Sequence, residues 1–167
     1  MATIRGFALS SAIKQNIKIN LSPYALSNAQ FLDISTVQSV FMFRWYSKVN
    51  KALLDVLQPA AFMMEVGKII IANELIEQQK EAEFEAEFLN VKTPEKLSEL
   101  EKQHIGFSNE EITSKIFEQW NLENELVEAI QFSNDPYAAP THIQPYAQAL
   151  HVVQTVINIF GQFTDDS

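Results

Sequence analysis

The fold of this chain depends on one apolar stretch, AFMMEVGKIII at residues 61–71. A helix of this sequence is apolar nearly all the way round, which is typical of a helix buried at the centre of a domain. Pro59 suits the first turn of that helix, where a missing N–H costs nothing. Gly67 costs about 1 kcal/mol of helix propensity, usually in exchange for close approach of another helix. We therefore predict a central helix over 61–71 with a neighbour packed against Gly67.

The composition favours a single all-α domain. The chain has 167 residues, of which 47% are hydrophobic, and its twelve phenylalanines are ample for a buried core. Only four glycines and six prolines are present, so turn formers are too scarce for a sheet protein. We assign residues 1–163 to one helical domain and residues 164–167 to a disordered tail.

The charge pattern and the lack of cysteine argue against several function classes. Twelve Lys and Arg stand against twenty-one Asp and Glu, for a net charge of −9, and no basic run is present to bind nucleic acid. No apolar run approaches the roughly 20 residues of a membrane span, so membrane insertion is not expected. Without cysteine there is neither a disulfide nor a thiolate metal site, which fits a cytoplasmic location.

Local capping signals mark the starts of several further helices. Ser27 is the N-cap of a long helix over 27–50. Thr93-Pro94 combines a cap with a first-turn proline. Ser108-x-x-Glu111 is a capping box, and its helix runs to residue 119, with Trp120 extending the apolar stripe. The other helices that the periodicity predicts are 4–15, 123–132 and 144–160.

Residues 73–88 form an unusually acidic segment. Phe84 and Phe88 are four residues apart and share one apolar face, so the carboxylates are expected on a solvated helix face. A carboxylate metal site is the weaker interpretation, because no histidine supports it within the segment. Glu101-x-x-His104 matches one element of a di-iron bundle, which requires two. The acidic residues are Glu74, Glu77, Glu81, Glu83, Glu85 and Glu87.

Three motifs downstream of the central stretch carry a family resemblance. They are Gly106-Phe107-Ser108-Asn109, Trp120-Asn121-Leu122-Glu123 and the segment 129–136, AIQFSNDP. In this order and spacing they resemble the helical HD superfamily, and most closely its non-catalytic branch, the HD-related output domain (HDOD). The resemblance runs from about Thr3 to Phe160 and implies a compact multi-helix bundle. The helices that usually precede the Thr3 segment are not found, so we expect a shortened member or a piece of a longer protein.

The same resemblance implies a degenerate active site. Catalytic HD proteins carry a metal-binding His-Asp pair before a glycine, and histidines at four further positions. Since thioether, amide and hydroxyl groups cannot assemble such a metal site, we expect no catalytic residue, no bound metal and no cofactor. The residues that stand at these positions, and form the predicted vestigial pocket, are Tyr46, Met64, Glu65, Asn109, Ser133 and Asn134.

Three functional hypotheses follow from the resemblance. The first is a non-enzymatic module of bacterial signalling that contacts signalling or regulatory proteins, or a second copy of itself, through apolar surface left by the missing helices. The second is a sensor that holds a nucleotide or metabolite in the vestigial pocket. The predicted lining argues against this hypothesis, because it offers no Arg or Lys to bind a phosphate. The third is residual metal-dependent phosphohydrolysis.

Overall fold

The computed structural model describes residues 19–157, and over that range it contains eight α-helices and no strand. Short 3-10 turns at Ser22–Tyr24, Lys51–Leu53 and Pro136–Ala138 connect or precede them. The helices are α1 (Asn28–Val49), α2 (Leu54–Met63), α3 (Gly67–Glu77), α4 (Glu81–Phe88), α5 (Pro94–Ile105), α6 (Asn109–Gln119), α7 (Asn124–Gln131) and α8 (Gln144–Val156). This architecture confirms the predicted all-α bundle.

The capping signals in the sequence place helix starts correctly. Ser27 Oγ accepts a hydrogen bond from the Gln30 amide at 3.1 Å, and Gln30 Oε1 accepts one from the Ser27 amide at 2.8 Å. Ser108 and Glu111 form the same reciprocal pair at the start of α6. Thr93 Oγ1 accepts from the Lys96 amide at the start of α5. These bonds satisfy amides that have no partner within the helix.

The prediction of one central helix over residues 61–71 is wrong, because the stretch is divided between α2 and α3. Pro59 lies inside α2 rather than in its first turn, and the chain turns at residues 64–66. The turn frees backbone groups for side chains of α6: the Met64 carbonyl accepts from Asn109 Nδ2 at 2.8 Å, and the Gly67 amide donates to Thr113 Oγ1 at 2.9 Å. Long-range hydrogen bonds thus replace those of a continuous helix.

Gly67 allows α3 and α6 to come into close contact, as predicted. A Cβ atom at this position would lie 2.6 Å from the Asn109 carbonyl oxygen and 2.7 Å from Thr113 Oγ1. Neither atom can move freely, because the first belongs to the backbone of α6 and the second holds the Gly67 amide. The glycine is therefore required by packing rather than by its backbone angles.

The acidic segment is also two helices rather than one. α3 ends at Glu77, and Gln79 turns the chain with a φ of 59° before α4 begins. Phe84 and Phe88 are buried on one face of α4, as predicted, and both meet the Tyr24 ring edge-on at centroid distances of 5.2 and 5.6 Å. This aromatic cluster attaches α4 to the rest of the core.

Trp120 does not extend the apolar stripe of α6. The helix ends at Gln119, and the Trp120 side chain is 49% exposed. The predicted helix 4–15, the last residues of the predicted helix 144–160 and the tail 164–167 lie outside the described residues. No helix between residues 19 and 157 combines the length and apolar character needed to cross a bilayer.

Candidate functional site

A cluster of four charged side chains lies buried between the helices that the motifs place together. Lys68 comes from the first turn of α3, Glu65 from the turn before it, Glu101 from α5 and Glu110 from α6. None of the four residues is more than 5% exposed. Lys68 Nζ donates to Glu65 Oε1 at 2.9 Å. Burial of charge on this scale is tolerated only when each group is paired and hydrogen-bonded.

The three carboxylates keep Lys68 charged. Burial by itself lowers the pKa of the Lys68 ammonium, but the charges of Glu65, Glu101 and Glu110 outweigh this and raise it above its ordinary value. The ammonium also lies 5.9 Å from the centre of the Tyr24 ring. Lys68 is therefore a permanent internal cation surrounded by acidic groups.

Glu101 has a raised pKa. Its Oε2 accepts from the Tyr24 hydroxyl at 2.8 Å, and its Oε1 accepts from the Asn109 amide at 2.8 Å. Burial and the neighbouring charge of Glu110 raise the pKa of Glu101 to about 7, although Lys68 and both hydrogen bonds act in the opposite direction. Burial also raises the pKa of the Tyr24 hydroxyl, and the neighbouring charge of Glu101 adds to this effect.

Asn109 connects the turn at Met64 and Glu65 to α6. Besides the Met64 carbonyl, its Nδ2 donates to Glu110 Oε2 at 3.1 Å, with a longer contact of 3.4 Å to Glu65 Oε1. Its Oδ1 accepts from Thr113 Oγ1 at 3.2 Å. Asn109 therefore orients the two carboxylates on either side of it.

Neutral donors also hydrogen-bond to Glu65 and Glu110. Gln154 of α8 donates from Nε2 to Glu65 Oε1 at 2.8 Å. Ser98 Oγ and Asn134 Nδ2 donate to Glu110 Oε1 at 2.6 and 2.9 Å, and they also contact each other. Side chains from α3, α5, α6, α8 and the loop after α7 thus meet around two carboxylates.

The structure brings together four of the six predicted pocket residues. Met64, Glu65 and Asn109 are in direct contact, and Asn134 reaches them through Glu110. The other two lie apart. Ser133 is buried and donates its hydroxyl to the Ile130 carbonyl, and the Tyr46 ring packs edge-on against Trp45 on α1. The role of all six residues stays a prediction.

The sequence reasoning missed the charged centre of the cluster. The statement that the lining offers no Arg or Lys is wrong, because Lys68 is its central residue. A signal was present: a lysine directly after Gly67, in a stretch apolar all round, has to find buried carboxylates. Which carboxylates these are could not be read locally, because Glu101 and Glu110 lie on different helices.

The family of the chain follows from its match to a domain model. The HDOD domain model matches residues 1–136. This chain belongs to the HDOD family. The HDOD fold seen here is similar to the crystal structure of a virulence factor (cj0248) from Campylobacter jejuni subsp. jejuni, with a TM-score of 0.71 and 30% sequence identity.

The similarity to the Campylobacter protein covers 87% of this HDOD chain and 50% of that one, so the chain spans about half of its length. No curated protein sequence matches the chain. The family match and the structural similarity confirm the resemblance that the motifs indicated.

Proposed function

We propose that this HDOD chain is a non-enzymatic module of bacterial cytoplasmic signalling that acts through contacts with other proteins. The observation that carries the proposal is the pairing of Lys68 Nζ with Glu65 Oε1 at 2.9 Å inside the buried cluster. Glu65 follows Met64 at the position that resembles the metal-binding pair of catalytic HD proteins. The carboxylate that would bind a metal there is already paired with an internal cation.

The surroundings of Lys68 support the same conclusion. A divalent cation bound at Glu65 would lie beside a fixed ammonium, and like charges in a buried site repel strongly. It would also have to displace Gln154 and Asn109, which donate to the two carboxylates. Phosphohydrolysis at this position is therefore disfavoured. A nucleotide sensor gains no support either, because the ammonium that could bind a phosphate is already paired.

An apolar face on α1 offers a surface for partner proteins. Leu32, Val40 and Phe43 are 56%, 43% and 48% exposed, and they lie within about 80° of one another around the helix. Val40 and Phe43 are three residues apart and are therefore neighbours on the helix surface, and exposed apolar patches mark sites of protein contact. We propose that a signalling or regulatory partner, or a second copy of the chain, docks on this α1 face.

Replacement of one residue on the α1 face tests the proposal. Tagged wild-type chain and a Phe43→Glu variant would be used for affinity capture from the native cytoplasm and for sedimentation of the purified proteins. We expect Phe43→Glu to lose the specific partner, or the dimer, while keeping wild-type helicity. Val49→Glu is the matched control, because Val49 is 59% exposed on the same helix but lies about 120° away from Phe43. Equal capture by all three proteins would contradict the proposal.

A further inference from the structure

A second group of ionisable side chains lies between α4 and α5, outside the Lys68 cluster. Glu83 and Glu87 are one turn apart on α4, so both side chains project from the same face. His104 near the end of α5 meets them, and ligand atoms of the three residues all lie within 4.8 Å of one another. The histidine that the acidic segment lacks in its own sequence is thus supplied by the next helix.

His104 is buried without a hydrogen bond on the nitrogen that faces the carboxylates. Its side chain is only 7% exposed, and within the described part of the chain Nε2 has no hydrogen-bond partner. The ring is held in place by the edge-on contact with Phe84, at a centroid distance of 5.5 Å, and the Lys80 ammonium fixes the His104 carbonyl at 2.9 Å. A buried nitrogen that lies 3.3 Å from the Glu87 carboxylate, in a group that also includes Glu83, requires a partner.

One separation within the group is that of two metal ligands. His104 Nε2 lies 3.3 Å from Glu87 Oε1, yet the geometry is not that of a hydrogen bond. Two ligands of a tetrahedral zinc ion, at about 2.0–2.2 Å from the metal, are about 3.3–3.6 Å apart. The observed separation equals one edge of such a tetrahedron.

We propose that Glu83, Glu87 and His104 bind a zinc ion, with water as the fourth ligand. One imidazole and two carboxylates suit Zn²⁺, whereas Ca²⁺ and Mg²⁺ require oxygen ligands alone. Glu83 is exposed, so an ion can enter from solvent on that side. The bound ion joins α4 to α5 and stabilises the folded chain, by an amount that grows with the logarithm of the zinc concentration once this exceeds the dissociation constant.

Calorimetric titration of the chelator-treated full chain with ZnCl₂ tests this site. We expect about one equivalent to bind, with MgCl₂ giving no heat of binding. Glu87→Gln and His104→Ala are expected to weaken zinc binding at least tenfold, since loss of even a supporting group costs about 10–100-fold. The matched controls are Glu85→Gln on the same helix and His142→Ala on an exposed histidine, and both keep wild-type affinity. Cobalt substitution adds a second readout, because tetrahedral Co²⁺ absorbs visible light strongly.

Two results would overturn the proposal. One is less than about a tenth of an equivalent of zinc bound by the wild-type chain, and the other is equal affinity in wild type and Glu87→Gln. Either result reduces the group to a His104–Glu87 ion pair. If circular dichroism shows that His104→Ala is unfolded, Glu87→Gln decides alone, because its side chain is 43% exposed and tolerates the change.

Discussion

At the scale of single residues, Lys68 decides the chemistry of the HDOD pocket. It is 1% exposed and neutralises acidic groups that would otherwise be unpaired in the core. A lysine in a stretch apolar all round was a signal for a buried cation, but the sequence reasoning missed it. Its partners could not be predicted, since the approach of Glu65, Glu101 and Glu110 to Lys68 depends on how three separate elements pack.

Loss of the ammonium should destabilise the fold strongly. Lys68→Met keeps the length of the side chain but leaves Glu65 and its neighbours as uncompensated buried charges, which typically costs about 3–5 kcal/mol. Urea unfolding at neutral pH measures the change. The control is Lys96→Met, whose side chain is 70% exposed in its ion pair with Glu99 and whose loss should cost less than about 1 kcal/mol. Equal stability of the two variants would contradict the assigned role of Lys68.

Glu101 should make the stability of the chain depend on pH. Its pKa is about 7 in the folded chain against an ordinary value of 4.5, so the folded state retains a proton that the unfolded state has lost. The stability due to this proton is complete below pH 4.5 and is lost as the pH rises through 7. From pH 8 to pH 5 the wild-type free energy of unfolding should therefore rise by about 2–3 kcal/mol relative to Glu101→Gln.

Urea titrations of wild type and Glu101→Gln at pH 5, 6, 7 and 8 measure this difference. The substituted glutamine keeps the shape of the side chain and one acceptor for the Asn109 amide. The variant therefore mainly removes the ionisable carboxyl group at position 101. A stability difference that stays constant across the four pH values would show that Glu101 does not titrate in this range.

At the scale of helices, capping residues in the sequence predicted where helices begin, whereas breaks caused by distant residues were not predicted. The capping boxes at Ser27 and Ser108 predicted the starts of α1 and α6, because both partners of each hydrogen bond are three residues apart. The break between α2 and α3 was missed, because it depends on Asn109 and Thr113, more than forty residues away. Apolar periodicity alone could not reveal that side chains of α6 would replace the backbone hydrogen bonds of a continuous helix.

Gly67→Ala tests the contact between α3 and α6. The added methyl group would meet backbone and side-chain oxygens at 2.6–2.8 Å, and overpacking of this kind typically costs about 1–3 kcal/mol. This outweighs the gain of at most about 1 kcal/mol from the better helix propensity of alanine. Thermal unfolding should show a lower midpoint for Gly67→Ala. A midpoint at or above that of the wild type would mean that the two helices are not as close as described.

At the scale of the whole molecule, the family resemblance predicted more than the composition did. Composition and periodicity favoured an all-α domain, whereas the order of three loose motifs identified the HDOD family that the match over residues 1–136 confirms. The motifs also placed Met64, Glu65, Asn109 and Asn134 close together. They could not reveal the internal cation, because Lys68 belongs to none of the quoted family positions.

We propose that this HDOD pocket does not support metal-dependent hydrolysis, and a hydrolysis assay tests this proposal most directly. Chelator-treated full chain would be incubated with Mn²⁺ and a panel of phosphodiesters and nucleotides, alongside Glu65→Gln to identify contaminating activity. We predict no turnover in the wild type beyond that of the variant. Manganese-dependent turnover that is lost in Glu65→Gln but kept in Glu87→Gln would contradict the account, because it would place a working metal at the site where Lys68 is paired.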